Sequence, residues 1–322
     1  MSISDLVIIG GGASGFMTAI AAAENGVKTI RILEASSKLL EKVRISGGGR
    51  CNITNASWIP NEIIDNYPRG GKKLLESLSR FATGDVYSWF EDRGLKLKIE
   101  NDMRVFPISD SSIDVVNFLK NSAIQLGVEI FTNKYVKKIS KDSQNLFVIY
   151  NNEKEFIFAR NIVIATGGHP SGYKLAASLG HLIIKPLPSL FTFTFKEKLL
   201  SECRGVSVRN LRLRIVIGEK IYENYGDLLI THWGFSGPGI LRLSSIAARE
   251  LFFAKYQFKL LIKWSNLERS ELLRRLNQLR ELNGKSNICN LRPLPYLTKR
   301  LWIYLLMKMR IDKEKKWCEI LS

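Results

Sequence analysis

The sequence of 322 residues predicts an α/β fold whose second half turns antiparallel and then helical. Three observations predict it. The chain opens on a strand–helix–strand pattern. A second apolar run, Asn161 to Ala165, ends in the small residues Thr166, Gly167 and Gly168. After Pro186 and Pro188 the apolar residues begin to alternate, and beyond residue 265 their spacing becomes helical.

The first stretch carries the most information. Asp5 to Gly10 is a short apolar run of the kind buried on both faces in a parallel sheet. Gly10, Gly12 and Gly15 then fit G-x-G-x-x-G. Ala13 to Asn25 has helical composition, and Gly26 is a stop signal. Val27 to Leu33 returns as a β-branched strand and ends at Glu34, 19 residues after Gly15. In such a unit Gly10 permits the tight turn, Gly12 the approach of a pyrophosphate, and Gly15 close packing of helix on strand. The helix N-terminus attracts phosphate, with Ala13 in its first turn, and Glu34 is spaced to accept from a ribose hydroxyl. The pattern therefore predicts a Rossmann-type dinucleotide site, for FAD or NAD rather than a 2′-phosphorylated cofactor. A glycine-rich turn that binds nothing would leave Glu34 without a purpose.

Composition narrows the class. At 45% hydrophobic, the chain can bury one large core or two to three modules. No apolar run reaches transmembrane length, and the first strand begins at once, so neither a membrane span nor a leader is expected. Cys51, Cys203, Cys289 and Cys318 lie far apart without a CxxC pair. That spacing argues against a metal site, a redox dithiol or a disulfide framework, and for a reducing cytoplasm. Lys and Arg number 48 against 30 Asp and Glu, a net charge of +18. The basic residues are dispersed, with modest concentrations at 196–214, 272–280 and 299–316. A solvated basic surface accounts for them better than a nucleic-acid role does.

Further along, Ser46-Gly-Gly-Gly-Arg-Cys51 is a donor-rich loop that can wrap phosphate or a flavin edge closely, or be a surface turn. Cys51 reads as a packing residue. Helices are expected at 71–81, 85–93 and 112–126, and strands at 95–100, 128–131, 135–139, 146–150 and 154–159. Arg104 falls in a turn, free to hold an anion but more simply paired with Asp102. Ala165, Thr166, Gly167 and Gly168 permit a close backbone pass over a cofactor at the carboxyl end of a strand. His169 and His181 read as structural. Strands are expected at 190–195, 210–217 and 256–264. Helices are expected at 240–252, started by Gly237 and Pro238, and at 267–282 and 297–309.

Taken in order, six segments resemble the BaiN/RdsA (YhiN-type) family of bacterial NAD(P)/FAD-dependent oxidoreductases. They are Gly10 to Gly15, Ile45 to Asn55, Arg104 to Pro107, Ala165 to Gly168, Leu187 to Phe193, and Leu229 to Pro238 with its Thr-His-Trp-Gly-Phe-Ser-Gly-Pro run. The resemblance covers almost the whole chain. It implies a Rossmann-type FAD-binding domain at 1–187, an inserted β-barrel-like domain at 188–264 and a small helical domain at 265–322. It implies non-covalent FAD, with NAD(P)H as possible reductant and a small molecule as substrate, an enone or an amine. By position, Gly10, Gly12, Ala13, Gly15, Glu34 and Lys42 would face the ADP half. Ser46, Gly47, Gly48, Gly49, Arg50 and Cys51 would wrap the pyrophosphate and ring region. Val136 would meet adenine, and Ala165 to Gly168 would pass beside the cofactor. Arg104 and His232 are the candidate catalytic residues on the substrate side.

Two departures from the family pattern stand out. Glu41 replaces a more usual basic residue. Relatives also continue past the helical module to a glycine-rich segment that closes over the flavin, which is expected to be missing here. A split or frameshifted gene, a decayed enzyme and a genuine short form are the competing readings. A remnant would retain FAD weakly. A flavoprotein that modifies tRNA is a further alternative, suggested by the charge.

Overall fold

The computed structural model describes residues 3–153, 156–195, 197, 200 and 202–320. The chain divides between Ile184 and Lys185 into two units with separate cores.

The first unit is built on β1 (Ser4–Ile9), in which Val7 and Ile8 are completely buried. Successive side chains point to opposite faces of the sheet. Ile8 accordingly joins one apolar cluster with Phe16, Ile20 and Leu119, while Val7 and Ile9 join another with Ile149 and Leu175. A strand covered on both faces has no use for polar residues, hence the continuous apolar run. Helix α1 (Ala13–Glu24) buries Phe16, Ala19 and Ile20 on one face and ends at Gly26, whose φ of +85° suits glycine. Strand β2 (Ile30–Leu33) pairs parallel with β1, Ile8 opposite Ile32.

The chain then leaves the sheet through α2 (Glu41–Ile45), a 3-10 turn at Ser46–Gly49, and β3 (Thr54–Asn55). Helices α3 (Pro60–Ile64), α4 (Gly71–Arg80) and α5 (Thr83–Asp92) precede β4 (Leu97–Ile99) and β5 (Arg104–Pro107). These strands form a small antiparallel sheet in the order β3-β5-β4. Helix α6 (Ser112–Gln125) buries Val115, Leu119 and Ala123 at helical spacing. Then follow β6 (Glu129–Phe131), β7 (Val136–Lys141), β8 (Phe147–Asn151), β9 (Phe156–Ile164) and α7 (Pro170–Ser178). The main sheet runs β6-β2-β1-β9-β8-β7.

One correction concerns β9. The separate strands expected at 154–159 and from Asn161 are a single strand; residues 154 and 155 lie outside the described residues. Its first half pairs antiparallel with β8, and its second half lies parallel to β1, Val163 opposite Ile8. Nothing in Ala159-Arg160-Asn161 stops a strand, so the meander and the parallel sheet share one element. Arg104 is likewise the first residue of β5 rather than a turn residue. The turn precedes it, closed by Met103 N–H donating to the Glu100 carbonyl at 2.9 Å.

The second unit holds β10 (Phe193–Thr194), β11 (Ser207–Ile217), β12 (Lys220–Ile230), β13 (Gly234–Ser236) and β14 (Lys259–Lys263), antiparallel in the order β10-β13-β12-β11-β14. Along β11, Leu211, Leu213 and Ile215 are fully buried, while Arg212 and Arg214 alternate outward to Glu223. The strand expected at 190–195 is reduced to two residues. The helix expected at 240–252 is two, α8 (Pro238–Ile246) and α9 (Ala248–Phe253), joined where Ala247 leaves helical geometry. Helices α10 (Arg269–Asn283) and α11 (Lys299–Lys308) complete the unit. A single apolar core runs from Phe193 to Trp317, so sheet and helices are packed together. No described helix is long and apolar enough to cross a membrane.

Candidate functional site

The carboxyl ends of β1, β2 and β9 open onto a cavity of about 900 Å³ in the first unit. This is where parallel sheets of this order gather ligands. Gly10, Gly12, Ala13, Glu34, Lys42, Ser46, Cys51, Ala165, Thr166 and Gly167 all line it.

The three motif glycines have different work. Gly10 has a φ of +116°, and a Cβ there would stand 2.5 Å from the Ala165 carbonyl oxygen. A Cβ on Gly15 would stand 2.1 Å from the Gly10 carbonyl oxygen. Both are therefore fixed by packing of the protein on itself. Gly12 has nothing within 4 Å of a Cβ position. It is the N-cap of α1 and offers no side chain to cap the helix, so the first-turn N–H groups of Ala13 and Ser14 face the cavity unpaired by a cap. A bare helix N-terminus carries partial positive charge and favours an anion.

Glu34 braces this turn. Gly11 N–H donates to its Oε2 at 2.8 Å, and Ser36 N–H donates to its Oε1 at 2.8 Å. The sequence reading left Glu34 no purpose beyond a ribose; it has one, holding two loops together. A carboxylate has about four acceptor positions, so capacity for hydroxyl donors remains. Lys42 crosses the cavity, its Nζ 3.5 Å from the Cβ position of Gly167. Neighbouring Glu41 pairs with Arg44 at 2.7 Å, and that bond holds its carboxyl below the usual range.

The glycine triplet folds back on itself. Gly47, Gly48 and Gly49 have φ of +58°, +71° and +87°, and Cys51 follows at +60°. Cys51 N–H donates to the Ser46 carbonyl at 3.1 Å, which closes the loop. Burial pushes the Cys51 thiol up, against a lowering hydrogen bond from Ser46, so at neutral pH it stands as S–H.

Other candidates stand elsewhere. Gly15, Gly47, Gly48, Gly49, Arg50, Val136 and Gly168 are not among the residues lining the cavity. Arg50 pairs with Glu100 and with Asp110 at 2.6 Å, over the Phe106 ring at 4.0 Å. Val136 is buried at the start of the edge strand β7. Arg104 pairs with Asp102 at 2.7 Å and with Glu100 at 3.3 Å. His232 lies in the second unit, exposed, with its ring 4.0 Å from that of Trp233.

Sequence reasoning missed the cavity's apolar arm, made by Phe81, Val86, Phe90, Val115 and Leu119. Phe81 caps the end of α4, and the other four lie on α5 and α6, where nothing in helical spacing distinguishes a residue facing a void from one facing another side chain. Gly11 was also missed, although its N–H makes the bond to Glu34.

These residues fit a dinucleotide. The open face at Gly12, the uncapped helix end, the acceptor at Glu34 and the cation at Lys42 match pyrophosphate and ribose in turn.

Comparison with known proteins agrees with this architecture. Residues 4–251 match the family described as HI0933-like protein Rossmann domain, and residues 187–322 that described as HI0933-like protein barrel and H2TH domain. A ribosomal RNA dihydrouridine synthase of Haemophilus influenzae is 29% identical over 255 residues, 75% of this chain and 61% of that protein. A 3-dehydro-bile acid delta(4,6)-reductase of Clostridium scindens is 29% identical over 258 residues, 77% of this chain and 61% of that protein. A ribosomal RNA dihydrouridine synthase of Escherichia coli is 29% identical over 252 residues, 75% and 60%. The chain thus spans about three fifths of the length of the curated relatives it matches.

Proposed function

The chain belongs to the HI0933-like family, and from this we propose that it is an FAD-dependent oxidoreductase that reduces a carbon–carbon double bond conjugated to a carbonyl. The observation that carries this is the cradle at Gly12, with its uncapped helix end and Glu34, opening into an apolar arm. The names of the relatives support the reaction class. Making dihydrouridine adds two hydrogens across a ring double bond conjugated to a carbonyl. A delta(4,6)-reductase of a 3-oxo steroid acts on a double bond conjugated in the same way.

FAD, when bound, supplies hydride transfer at its isoalloxazine ring, with NAD(P)H as the proposed reductant. The protein supplies position and charge. The N–H groups of Ala13 and Ser14 hold the pyrophosphate, Glu34 accepts from ribose hydroxyls, and the Lys42 ammonium balances negative charge in the cavity. Phe81, Val86 and Phe90 give the arm an apolar wall against which a flat ring can pack. The Cys51 thiol, kept protonated, adds no charge there.

The test is direct. The purified chain mixed with FAD is expected to retain a yellow chromophore. NADH or NADPH is expected to bleach it without oxygen, and a 3-oxo-Δ4 steroid or free uridine to restore the colour. A chain that takes up no flavin, or whose reduced flavin reoxidises with none of a 3-oxo-Δ4 steroid, free uridine or ribosomal RNA, defeats the proposal.

A second reading makes the alkene a uridine in RNA. One observation favours it. From Lys185 onward there are 26 Lys and Arg against 12 Asp and Glu, a net of +14 out of +18. All three basic concentrations noted in the sequence fall in this second unit. Dihydrouridine formed in ribosomal RNA, but from neither free uridine nor a steroid, would select this reading.

A further inference from the structure

The second unit contains a cavity of about 660 Å³ that has no part in the nucleotide site. It lies beneath α10, a helix of 15 residues in which none is fully buried. Leu272 and Leu276 face inward but line the space instead of filling it. Trp302 and Leu305 of α11 and Trp317 form other walls. Protein cores pack as densely as organic crystals, with few voids larger than a water. This one is far larger than a water, yet apolar side chains dominate its walls. Its size is that of a small-molecule pocket.

The mouth is charged unevenly. On α10, Arg269, Leu272, Leu276 and Arg280 follow one helical face, so an apolar run of two turns has a cation at each end. Eleven residues separate the arginines, about 16 Å along the axis. Near Arg269 the charges are mixed, Lys263 pairing with Glu268 at 3.5 Å. At the other end Asn277 is Arg280's polar neighbour on the rim, and Arg280 has no ion pair among the described residues.

We propose that this cavity binds an amphipathic monoanion, a flexible or fused-ring apolar body with one carboxylate or sulfonate that meets Arg280. A neutral hydrocarbon would leave Arg280 unused, and a polar anion would leave the leucines and tryptophans wet. The proposal is independent of the flavin reading.

The probe is 1-anilinonaphthalene-8-sulfonate, titrated into the full chain and displaced by dodecanoate or by neutral dodecanol. One saturable site is expected, displaced by both. Leu276→Trp sets a bulkier ring into the cavity and is expected to weaken the site at least tenfold while leaving circular dichroism and thermal midpoint unchanged. Arg280→Glu, an exposed change that does not threaten folding, is expected to weaken dodecanoate at least tenfold and dodecanol less than twofold. Equal loss of both ligands in Arg280→Glu, or a site of unchanged affinity in a folded Leu276→Trp, overturns the proposal. So does a dimer in light scattering that Leu276→Trp dissociates, because a second copy would then cover the cavity.

Discussion

Gly12 and Gly15 stand three residues apart and answer to different constraints. At Gly15 a methyl group would strike a carbonyl oxygen at 2.1 Å, so Gly15→Ala is expected to cost roughly 1–3 kcal/mol in chemical denaturation. At Gly12 there is open space, and Asp is a favoured N-cap, so Gly12→Asp is expected to leave stability within about 0.5 kcal/mol. The same change sets a carboxylate where the pyrophosphate would lie. Flavin affinity, followed by fluorescence quenching, is expected to fall at least a hundredfold. Asp110 gives a pH signature. Its hydrogen bonds from Lys98 and then Arg50 hold its carboxyl below the usual value of 3.8. A carboxyl lowered on folding contributes stability above its unfolded value and loses it as pH falls through the lower, folded one. The stability gap between the native chain and Asp110→Asn is therefore expected at neutral pH and to close below about pH 3.8, measured by urea denaturation across that range.

Among the elements, α10 and α11 are a contrast within one core. Leu301 of α11 is completely buried, while Leu276 of α10 borders the cavity. Leu301→Ala is expected to cost about 2–5 kcal/mol, and Leu276→Ala less than about 1. Amide exchange in α10 is expected to exceed that in α11, since few buried contacts restrain it. The sequence made most of these elements legible, because β1 and β2 are short apolar runs, α1 has helical composition ended by a glycine, and α6 carries a helical period matched to its burial. What it hid has physical causes. The join in β9 was invisible because Arg160 and Asn161 suit an exposed strand as well as a turn. The break at Ala247 was invisible because alanine favours helix. In the site, Gly10, Gly12 and Glu34 were readable from spacing. The pairing of Arg50 with Asp110 depends on residues 60 positions apart, and no local pattern reports that.

At the scale of the molecule, charge is distributed unequally between the units. If RNA is the substrate, its affinity is expected to fall linearly in log–log terms with salt, in gel-shift or filter-binding assays. Reversing three basic residues on the second unit, such as Arg209, Arg242 and Arg274, is expected to flatten that slope. Three matched reversals in the first unit are not. A slope near zero in the native chain would remove RNA from consideration.

The position of β1 has a consequence for how the protein is made. Its neighbour β2 leaves the ribosome about 24 residues later, but its other neighbour, the second half of β9, is about 155 residues away. At about 5–20 residues per second, that is roughly ten to thirty seconds of synthesis. During that time Val7 and Ile8 form one half of a sheet whose other half does not yet exist. A largely apolar strand of the nascent chain then presents an open edge to any other chain nearby. Slowed elongation before residue 164 would lengthen this exposure, and a holding chaperone would act on it.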